Sequence, residues 1–416
     1  MVYNITGNIS RIKIRKKMEI RKLTEENREA YGKLARYAFQ TSKNTYDNLE
    51  WPIKSRPMDQ FYGVFENDLL IAGCGLIPYE IKFRSITFKM GGVDGVATKP
   101  EYRNRGIVRE ILKKLFHDMY ENQIPISVLF PFKIAFYEKL GYKNVDEKIF
   151  YQFKISDIKY KETNYQMKED ERINEDIIQV YNEVIENYDY IAKRAEMQWK
   201  RLYKENYKFI CFNGDRPLGY VILHFPKKST EWIFTQNIEL PEKTIFVIEA
   251  FWLNHTAKQT IINFLWTHRD QREYIAGYFP VNENIIDLLI TSRILERKIV
   301  GNSLLRIINV ETVLKNLKYP LNTFSILFHI YDKFCPWNNG FFNLTSKDEI
   351  VNVEFKETSE ESADIEIDIS YLAQLLAGFR TVKDLLEFGF ISINHEKFQV
   401  LQNLFPKTKN YFNDFF

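Results

Sequence analysis

The sequence predicts an α/β protein of α+β character: two tandem mixed-sheet units followed by a third, α+β domain. Three observations carry this reading. A long apolar strand, a basic loop, an amphipathic helix and a short apolar strand succeed one another from Ile86 to Phe132. The same order of elements returns, with little shared sequence, from Ser156 to residue 299. From about Val300 the pattern changes again, and 416 residues leave room for roughly two to three domains of about 150 residues each.

Residues 1–17 read as a basic extension, with Arg11, Lys13, Arg15, Lys16 and Lys17, and no apolar run follows of the kind a secretory leader requires. The first unit, 18–155, opens with a strand over Met18–Leu23 and a helix from Thr24, where Glu25 and Glu26 complement the positive end of the helix dipole. A hairpin follows: Phe61–Phe65, a turn at Glu66-Asn67-Asp68, then Leu69–Pro78, in which Gly73 and Gly75 interrupt side-chain continuity. Ile86–Thr98 is a long strand and Lys99–Arg105 a loop. Ile107, Val108, Ile111, Leu112, Leu115, Phe116 and Met119 then recur at helical spacing and define one buried face. Ile126–Phe132, apolar but for Ser127, suits a central strand, and Ile134–Leu140 is a short helix stopped by Gly141. A β-rich segment to Phe153 closes the unit.

In the second unit, 156–299, Gly214-Asp215-Arg216-Pro217 is the turn before Leu218–Phe225, as Asn67-Asp68 is before Leu69. Ile245–Leu253 corresponds to the long strand, Thr256–Arg269 to the amphipathic helix, Tyr274–Phe279 to the next strand and Asn282–Leu289 to the short helix. The third domain, 300–416, starts with a strand over Ser303–Asn309 and a helix over Val310–Leu317. Ile365, Ile367 and Ile369 alternate as in a strand with one buried face, and Tyr371–Leu376 and Thr381–Phe388 read as helices.

Hydrophobic residues make up 45% of the chain and charged residues 27%, which excludes a disordered, collagen-like or low-complexity protein. The 33 Phe, 25 Tyr and 6 Trp favour deep cores and stacked pockets. A net charge of +3 supplies no general field for nucleic acid or an anionic membrane, so neither is an expected partner and any charged site is local. Cys74, Cys211 and Cys335 are far apart and outside any CxxC pair, as reduced thiols of a cytoplasmic protein would be. The six histidines form no HExxH or other i, i+4 ligand pair, so no metal is expected. The longest apolar stretch, Ile245–Leu253, is interrupted by Glu249 and is far shorter than the roughly 20 residues that span a bilayer, so a soluble protein is expected.

The chemistry concentrates in Arg103-Asn104-Arg105-Gly106-Ile107-Val108-Arg109, which joins the end of a strand to the start of a helix. Backbone N–H groups and the helix dipole converge there on one spot, an anion cradle. Gly106 allows close backbone approach, while Arg103, Arg105 and Arg109 supply charge for a pyrophosphate. Taken alone, three arginines in an exposed loop also fit a solvated surface; the flanking elements favour the cradle.

That loop in its context, together with Phe136-Tyr137-Glu138-Lys139-Leu140-Gly141-Tyr142, resembles the GNAT family of acyl-CoA N-acetyltransferases, whose R/QxxGxG/A loop binds the CoA pyrophosphate; Val108 stands where that pattern has a small residue. A duplicated acetyltransferase unit followed by a third domain and ending in an aromatic residue resembles the Eis (enhanced intracellular survival) family, over nearly the whole chain after residue 17. Val96-Ala97-Thr98 through Arg109 and Leu129-Phe130-Pro131 through Tyr142 carry the likeness, with Leu304-Leu305-Arg306-Ile307-Ile308-Asn309-Val310-Glu311 and Leu372-Ala373-Gln374-Leu375-Leu376-Ala377-Gly378 in a domain that resembles sterol-carrier proteins. The resemblance implies acetyl-CoA as co-substrate, acceptors such as aminoglycosides, other polyamines or lysine side chains, and a homohexamer. It implies that Val96, Ala97 and Thr98 pair with the pantetheine arm and that Asn104 to Arg109 enclose the pyrophosphate. Phe132 and Lys133 would flank the cofactor, Tyr137 would be the general acid and the terminal carboxylate of Phe416 the general base.

Both roles make chemical sense: a carboxylate can take the proton of an ammonium, and a tyrosine, protonated at neutral pH, can donate to a departing thiolate. Core packing for Tyr137 and a frayed tail for Phe416 are the alternatives. Tyr411, Phe412, Phe415 and Phe416 make an aromatic tail around Asp414, costly to leave in water, so insertion into the first unit is expected. The second unit has Asn254-His255-Thr256-Ala257-Lys258 where its loop should be, without glycine or arginine, and is expected not to bind CoA. Phe39, Trp51 and Tyr62 could line an acceptor pocket or fill a core. Seven acids between residues 351 and 370 (Glu354, Glu357, Glu360, Glu361, Asp364, Glu366, Asp368) fit a solvated strand pair, or an acidic lip for polyamines. A lipid or sterol carrier with acetyltransferase units as scaffold is the rival reading.

Overall fold

The computed structural model describes residues 18–39, 56–171, 174–203, 206–226, 230–233, 236–301 and 303–416; the extension 1–17 and Trp51 lie outside them. The early elements are β1 (Met18–Lys22), α1 (Arg28–Ala38), β2 (Phe61–Glu66), β3 (Leu69–Phe83), β4 (Ile86–Thr98), α2 (Ile107–Glu121), β5 (Ile126–Leu129), α3 (Ile134–Glu138), β6 (Lys143–Asn144) and β7 (Glu147–Lys154). The chain divides into two compact units, residues up to Leu76 with Asp94–Leu115, and Ile77–Val93 with Phe116–Phe416; β3, β4 and α2 each run through both.

In the smaller unit, β2 pairs antiparallel with β1 (Met18↔Glu66 to Lys22↔Tyr62) and with β3 (Phe61↔Gly75 to Glu66↔Leu69). The hairpin turns on Asn67 and Asp68 at φ 50° and 62°, a left-handed conformation that these two side chains tolerate. Helix α1 is preceded by one 3-10 turn at Glu25–Asn27, whose Asn27 Oδ1 accepts the Thr24 N–H at 3.0 Å. Tyr31 on α1 is fully buried and donates its hydroxyl to the Gly95 carbonyl at 2.6 Å. Its ring occupies the space a side chain at Gly73 would need: a Cβ there would stand 2.7 Å from the ring.

In the larger unit the core is organised by β5, which is wholly buried. It runs parallel to β4 from Met90↔Ile126 to Val93↔Leu129, and on its other edge it pairs antiparallel with Leu304–Ile307. That strand, placed by the sequence pattern at the head of the third domain, also pairs with β6. Conversely β7, which the pattern places at the close of the first unit, lies in a second sheet between Tyr274–Pro280 and Glu296–Gly301. The two crossing segments are tied together: Ser303 donates its N–H and its hydroxyl to the buried Asp146 carboxylate at 3.0 and 2.7 Å. Strand β3 extends past Pro78 to Phe83, with Ile191–Lys193 paired to Glu80–Lys82.

The second sheet runs 296–301, β7, 274–280, 244–252, 216–224, 207–213, 166–170. Alternate side chains leave its two faces. Ile245, Val247 and Ile275 meet Ala257, Ile261 and Leu265 of helix His255–Trp266, while Phe246, Ile248 and Ala276 meet Ile177, Val180 and Tyr181 of helix Glu175–Val184. The helix expected over Asn282–Leu289 is only a 3-10 turn at Ile286–Leu288. Backbone pairing takes its end elsewhere: Lys159 N–H donates to Leu288 O and Ile290 N–H to Asp157 O, at 2.8 and 2.7 Å. The third sheet, 350–356, 340–347, 324–331, 365–368, 391–393, carries helices Ile369–Leu376, Val382–Glu387 and Phe398–Leu404. Among the described residues no helix is long and apolar enough to cross a membrane.

Arg306, in the otherwise apolar strand 304–307, is fully buried. Its Nη2 donates to both Asp332 oxygens at 2.8 and 2.7 Å and its Nη1 to Leu140 O at 2.6 Å, while the guanidinium lies 4.7 Å from the Phe116 ring centroid. Gly141 has φ 83°, and a Cβ there would collide with Arg306 Nη1, so glycine is required on both counts. Arg306→Met should strand a buried carboxylate and lower the unfolding free energy by about 3–5 kcal/mol, measurable by urea denaturation.

Candidate active site

The cradle residues lie in the smaller unit. Strand β4 ends at Thr98 after alternating Val96 (half-buried), Ala97 (buried) and Thr98 (half-buried), and the Thr98 Oγ1 is buried without a hydrogen-bond partner. Arg103, Asn104, Arg105 and Gly106 are exposed, Ile107 is buried, Val108 half-buried and Arg109 exposed. Arg103 Nε donates to Thr98 O at 3.3 Å and Arg105 Nη2 to Glu101 O at 2.9 Å, which folds the two guanidinium stems back over the loop. Asn104 and Gly106 take φ 61° and 75°, and the space beside Gly106 is open to 4 Å. The arrangement brings a helix start, whose first N–H groups have no intrahelical acceptors, together with two loop arginines, as anion binding requires.

The remaining site residues lie in the larger unit. Past the last β4–β5 pair, Phe130, Pro131 and Phe132 continue β5 without a strand partner of their own. Phe132 is 74% exposed and Lys133 is exposed, whereas Tyr137 on α3 is buried. Phe132, Phe136 and Tyr142 surround the Tyr137 ring at centroid distances of 5.6, 5.1 and 6.1 Å. Two residues before Phe132, Phe130 meets the chain terminus: its ring lies 5.1 Å from Phe416, 5.4 Å from Phe415 and 6.0 Å from Phe412. Phe416 is buried, also packs on Tyr79 at 5.2 Å, and fills the space over Gly92, where a Cβ would come within 2.8 Å of its ring. One short segment thus carries contacts to both Tyr137 and the terminal residue.

The tail is held by charges that sequence reasoning missed. Arg194, with no exposed side-chain surface, donates from Nε to Asp414 Oδ2 at 2.7 Å and from Nη1 and Nη2 to the two Glu249 oxygens at 2.9 and 2.7 Å. Asn413 and the Tyr220 hydroxyl also donate to Glu249. The one signal was Glu249 itself, an acid inside an apolar strand. Lys148 of β7 is buried beside this cluster, and burial pushes its ammonium down to about 8 against the pull of Asp146, Asp414 and Glu249.

Phe39, at the end of α1, is exposed, while Tyr62 in β2 is buried; Trp51 lies outside the described residues. In the second unit, Asn254 caps helix His255–Trp266 and its side chain accepts the Ala257 N–H at 2.8 Å, so that helix start is satisfied internally. Lys258 is committed to Glu283. His255 borders an open cavity of about 500 Å³ with Lys161, Glu162, Asn164 and Gln259. All three cysteines are buried, and burial pushes Cys211 and Cys335 up to about 11, so neither is a ready thiolate nucleophile. Among the described residues no group of three or more His, Cys, Asp or Glu is placed to hold a metal ion.

Residues 19–145 match the family model of an acetyltransferase (GNAT) domain, 191–307 match a second acetyltransferase (GNAT) domain model, and 310–413 match that of a sterol carrier protein domain. No curated protein matches the chain in sequence. Among solved structures, a probable N-acyltransferase from Enterococcus faecalis V583 superposes with TM-score 0.81 at 22% identity, over 96% of this chain and 100% of that one. A GCN5-related N-acetyltransferase from Anabaena variabilis ATCC 29413 gives TM-score 0.83 at 20% identity, with the same coverage of 96% and 100%. Eis1 from Mycobacterium abscessus gives 0.73 at 16% identity, again covering 96% and 100%. At these identities the likeness is one of fold.

The depressed Lys148 pKa has a consequence for stability. Between pH about 8 and 10.5 the unfolded lysine holds its proton and the folded one does not, so unfolding takes up protons and stability rises with pH. Denaturant titrations should show this rise, up to about 1.4 kcal/mol per pH unit, in wild type relative to Lys148→Met, with no difference in slope below pH 7.

Proposed function

The chain belongs to the GNAT acetyltransferases, in the Eis-type order of two acetyltransferase domains and a sterol-carrier domain, and we propose that it transfers the acetyl group of acetyl-CoA directly to a primary amine. The observation that supports a single working site is the contrast between the two helix starts. In the first domain the loop Arg103–Arg109 offers exposed arginines and an open, left-handed Gly106; in the second, Asn254 satisfies the helix start and no arginine replaces the loop. In this reading Val96, Ala97 and Thr98 hold the pantetheine arm, Arg103 to Arg109 the pyrophosphate, and Phe132 and Lys133 flank the cofactor.

Acetyl-CoA supplies an acyl group already activated as a thioester. The Phe416 carboxylate takes a proton from the acceptor ammonium, freeing its lone pair to form the N–C bond at the carbonyl. As the C–S bond breaks, the Tyr137 hydroxyl gives its proton to the departing sulfur, and the second proton of the attacking nitrogen, acidified by the new N–C bond, makes good the loss at the phenol. Tyr137 lies among three rings next to the exposed Phe132, and the absence of a ready thiolate among the buried cysteines fits direct transfer without an acyl-enzyme. Aminoglycosides, other polyamines and lysine side chains are the proposed acceptor classes.

The test is free-thiol release from acetyl-CoA over kanamycin, spermidine and a lysine peptide. Tyr137→Phe should lower kcat by about 10²–10⁴ with little change in the KM for acetyl-CoA. One glycine added after Phe416 should abolish turnover and leave acetyl-CoA binding intact; an active extended enzyme removes the terminal carboxylate from the mechanism. Arg103→Ala with Arg105→Ala should raise the KM for acetyl-CoA instead, by about tenfold or more for two lost charge-assisted contacts.

A further inference from the structure

The second acetyltransferase domain lacks a phosphate loop, yet it supplies both residues that grip the end of the chain. Arg194 follows directly on strand Ile191–Lys193, and Glu249 lies within strand Thr244–Trp252. Together they meet Asp414 and Asn413, the third- and fourth-last residues. Residues 412–416 belong to no helix or strand, so no regular backbone ladder sets how far the tail is inserted. Upstream, Tyr411 N–H donates to Asp189 O and the Asn410 amide to Val145 O and Ala377 O. Beyond Tyr411, the rings of Phe412 and Phe416 are buried and that of Phe415 half-buried, and ring packing is less exacting about position than a buried charge pair.

A buried ion pair does not tolerate that slip. Arg194, Glu249 and Asp414 all have nearly inaccessible side chains, and moving Asp414 by one position would leave a carboxylate or a guanidinium buried and unpaired. Apolar side chains would stabilise the interior about as well, so what the ions add is register. The grip is also mechanically close to the seat of the last residue. Lys193, the neighbour of Arg194, pairs with Glu80 of β3, and the next residue of β3, Tyr79, packs on Phe416.

We infer that Arg194 and Glu249 are positioning residues that lock Asp414 and thereby set where the Phe416 carboxylate stands, which is the role the second domain keeps after losing its own loop. This rests on the reading of Phe416 as general base. The clamp touches no acetyl-CoA residue, so its loss moves kcat and spares the KM for acetyl-CoA.

Asp414→Asn and Glu249→Gln keep side-chain size and remove one charge each; Arg194→Met is the harsher third variant. Each would be assayed with acetyl-CoA and spermidine, kanamycin or a lysine peptide, whichever acceptor the wild type uses. In parallel, release of phenylalanine by carboxypeptidase A would be followed at least 10 °C below the Tm measured for each variant, so that unfolded protein does not contribute. The wild-type tail should resist the protease. The charge-neutral variants should release phenylalanine and lose about 10²-fold in kcat, as expected for a reacting group displaced by about 1 Å, at unchanged KM for acetyl-CoA. A tail that stays protected, with kcat intact, in both Asp414→Asn and Glu249→Gln overturns the clamp. A tail that is released while turnover persists overturns the Phe416 base and leaves the physical anchor standing, so the two failures are distinguishable.

Discussion

The larger unit depends on how β5 is paired on both edges. A four-residue strand, apolar but for Ser127 and with every side chain buried, has no use for a free edge, and its N–H and C=O groups need partners on each side. One partner, β4, is near in sequence; the other, Leu304–Ile307, is not. Because β7 leaves for the second sheet, the first sheet is completed by a strand from beyond it, and the Asp146–Ser303 bonds hold the crossing point shut. The same exchange brings Arg306 under Leu140 and Gly141, immediately after the helix that carries Tyr137. The backbone of that turn is therefore held by a residue that the sequence pattern assigns to another domain.

Much of the fold is legible in the sequence because it is local. The face of α2 reads directly from the 3.6-residue spacing: Ile107, Ile111, Leu112, Leu115, Phe116 and Met119 are all buried, while Val108 of the same expected face is half-buried. The Asn67-Asp68 turn, the Asn309 cap and the Thr381 capping box likewise follow from side-chain chemistry within a few residues. The strand exchange does not, because Asp146 and Ser303 are separated by 157 positions and the apolar strings at 149–153 and 304–307 fit either sheet equally well. Register between distant strands is written in packing, which periodicity does not report.

The candidate site divides along the same line. The arginine loop stands out because glycine and three arginines fall at a strand-to-helix junction, and its exposure and open Gly106 follow from that placement. Tyr137 could be singled out only through its motif, since a buried tyrosine among rings is ordinary core chemistry. The charges that secure the tail are hardest to read. Arg194 and Asp414 lie 220 positions apart, and only Glu249, interrupting an apolar strand, marks the place where a cation has to arrive.

The exchanged strands also govern the order in which the molecule can be assembled during synthesis. When β5 leaves the ribosome its far edge has no partner, and it stays unfilled until the whole second sheet and then Leu304–Ile307 have been made. An exposed apolar edge in a nascent chain is a template for pairing with other chains, and here that edge stays incomplete while the whole second sheet is made. Closure of that edge links segments far apart along the chain, which makes it entropically slow and a natural late step in folding. A gene fragment ending between the two acetyltransferase domains would encode a half-built sheet rather than a smaller enzyme.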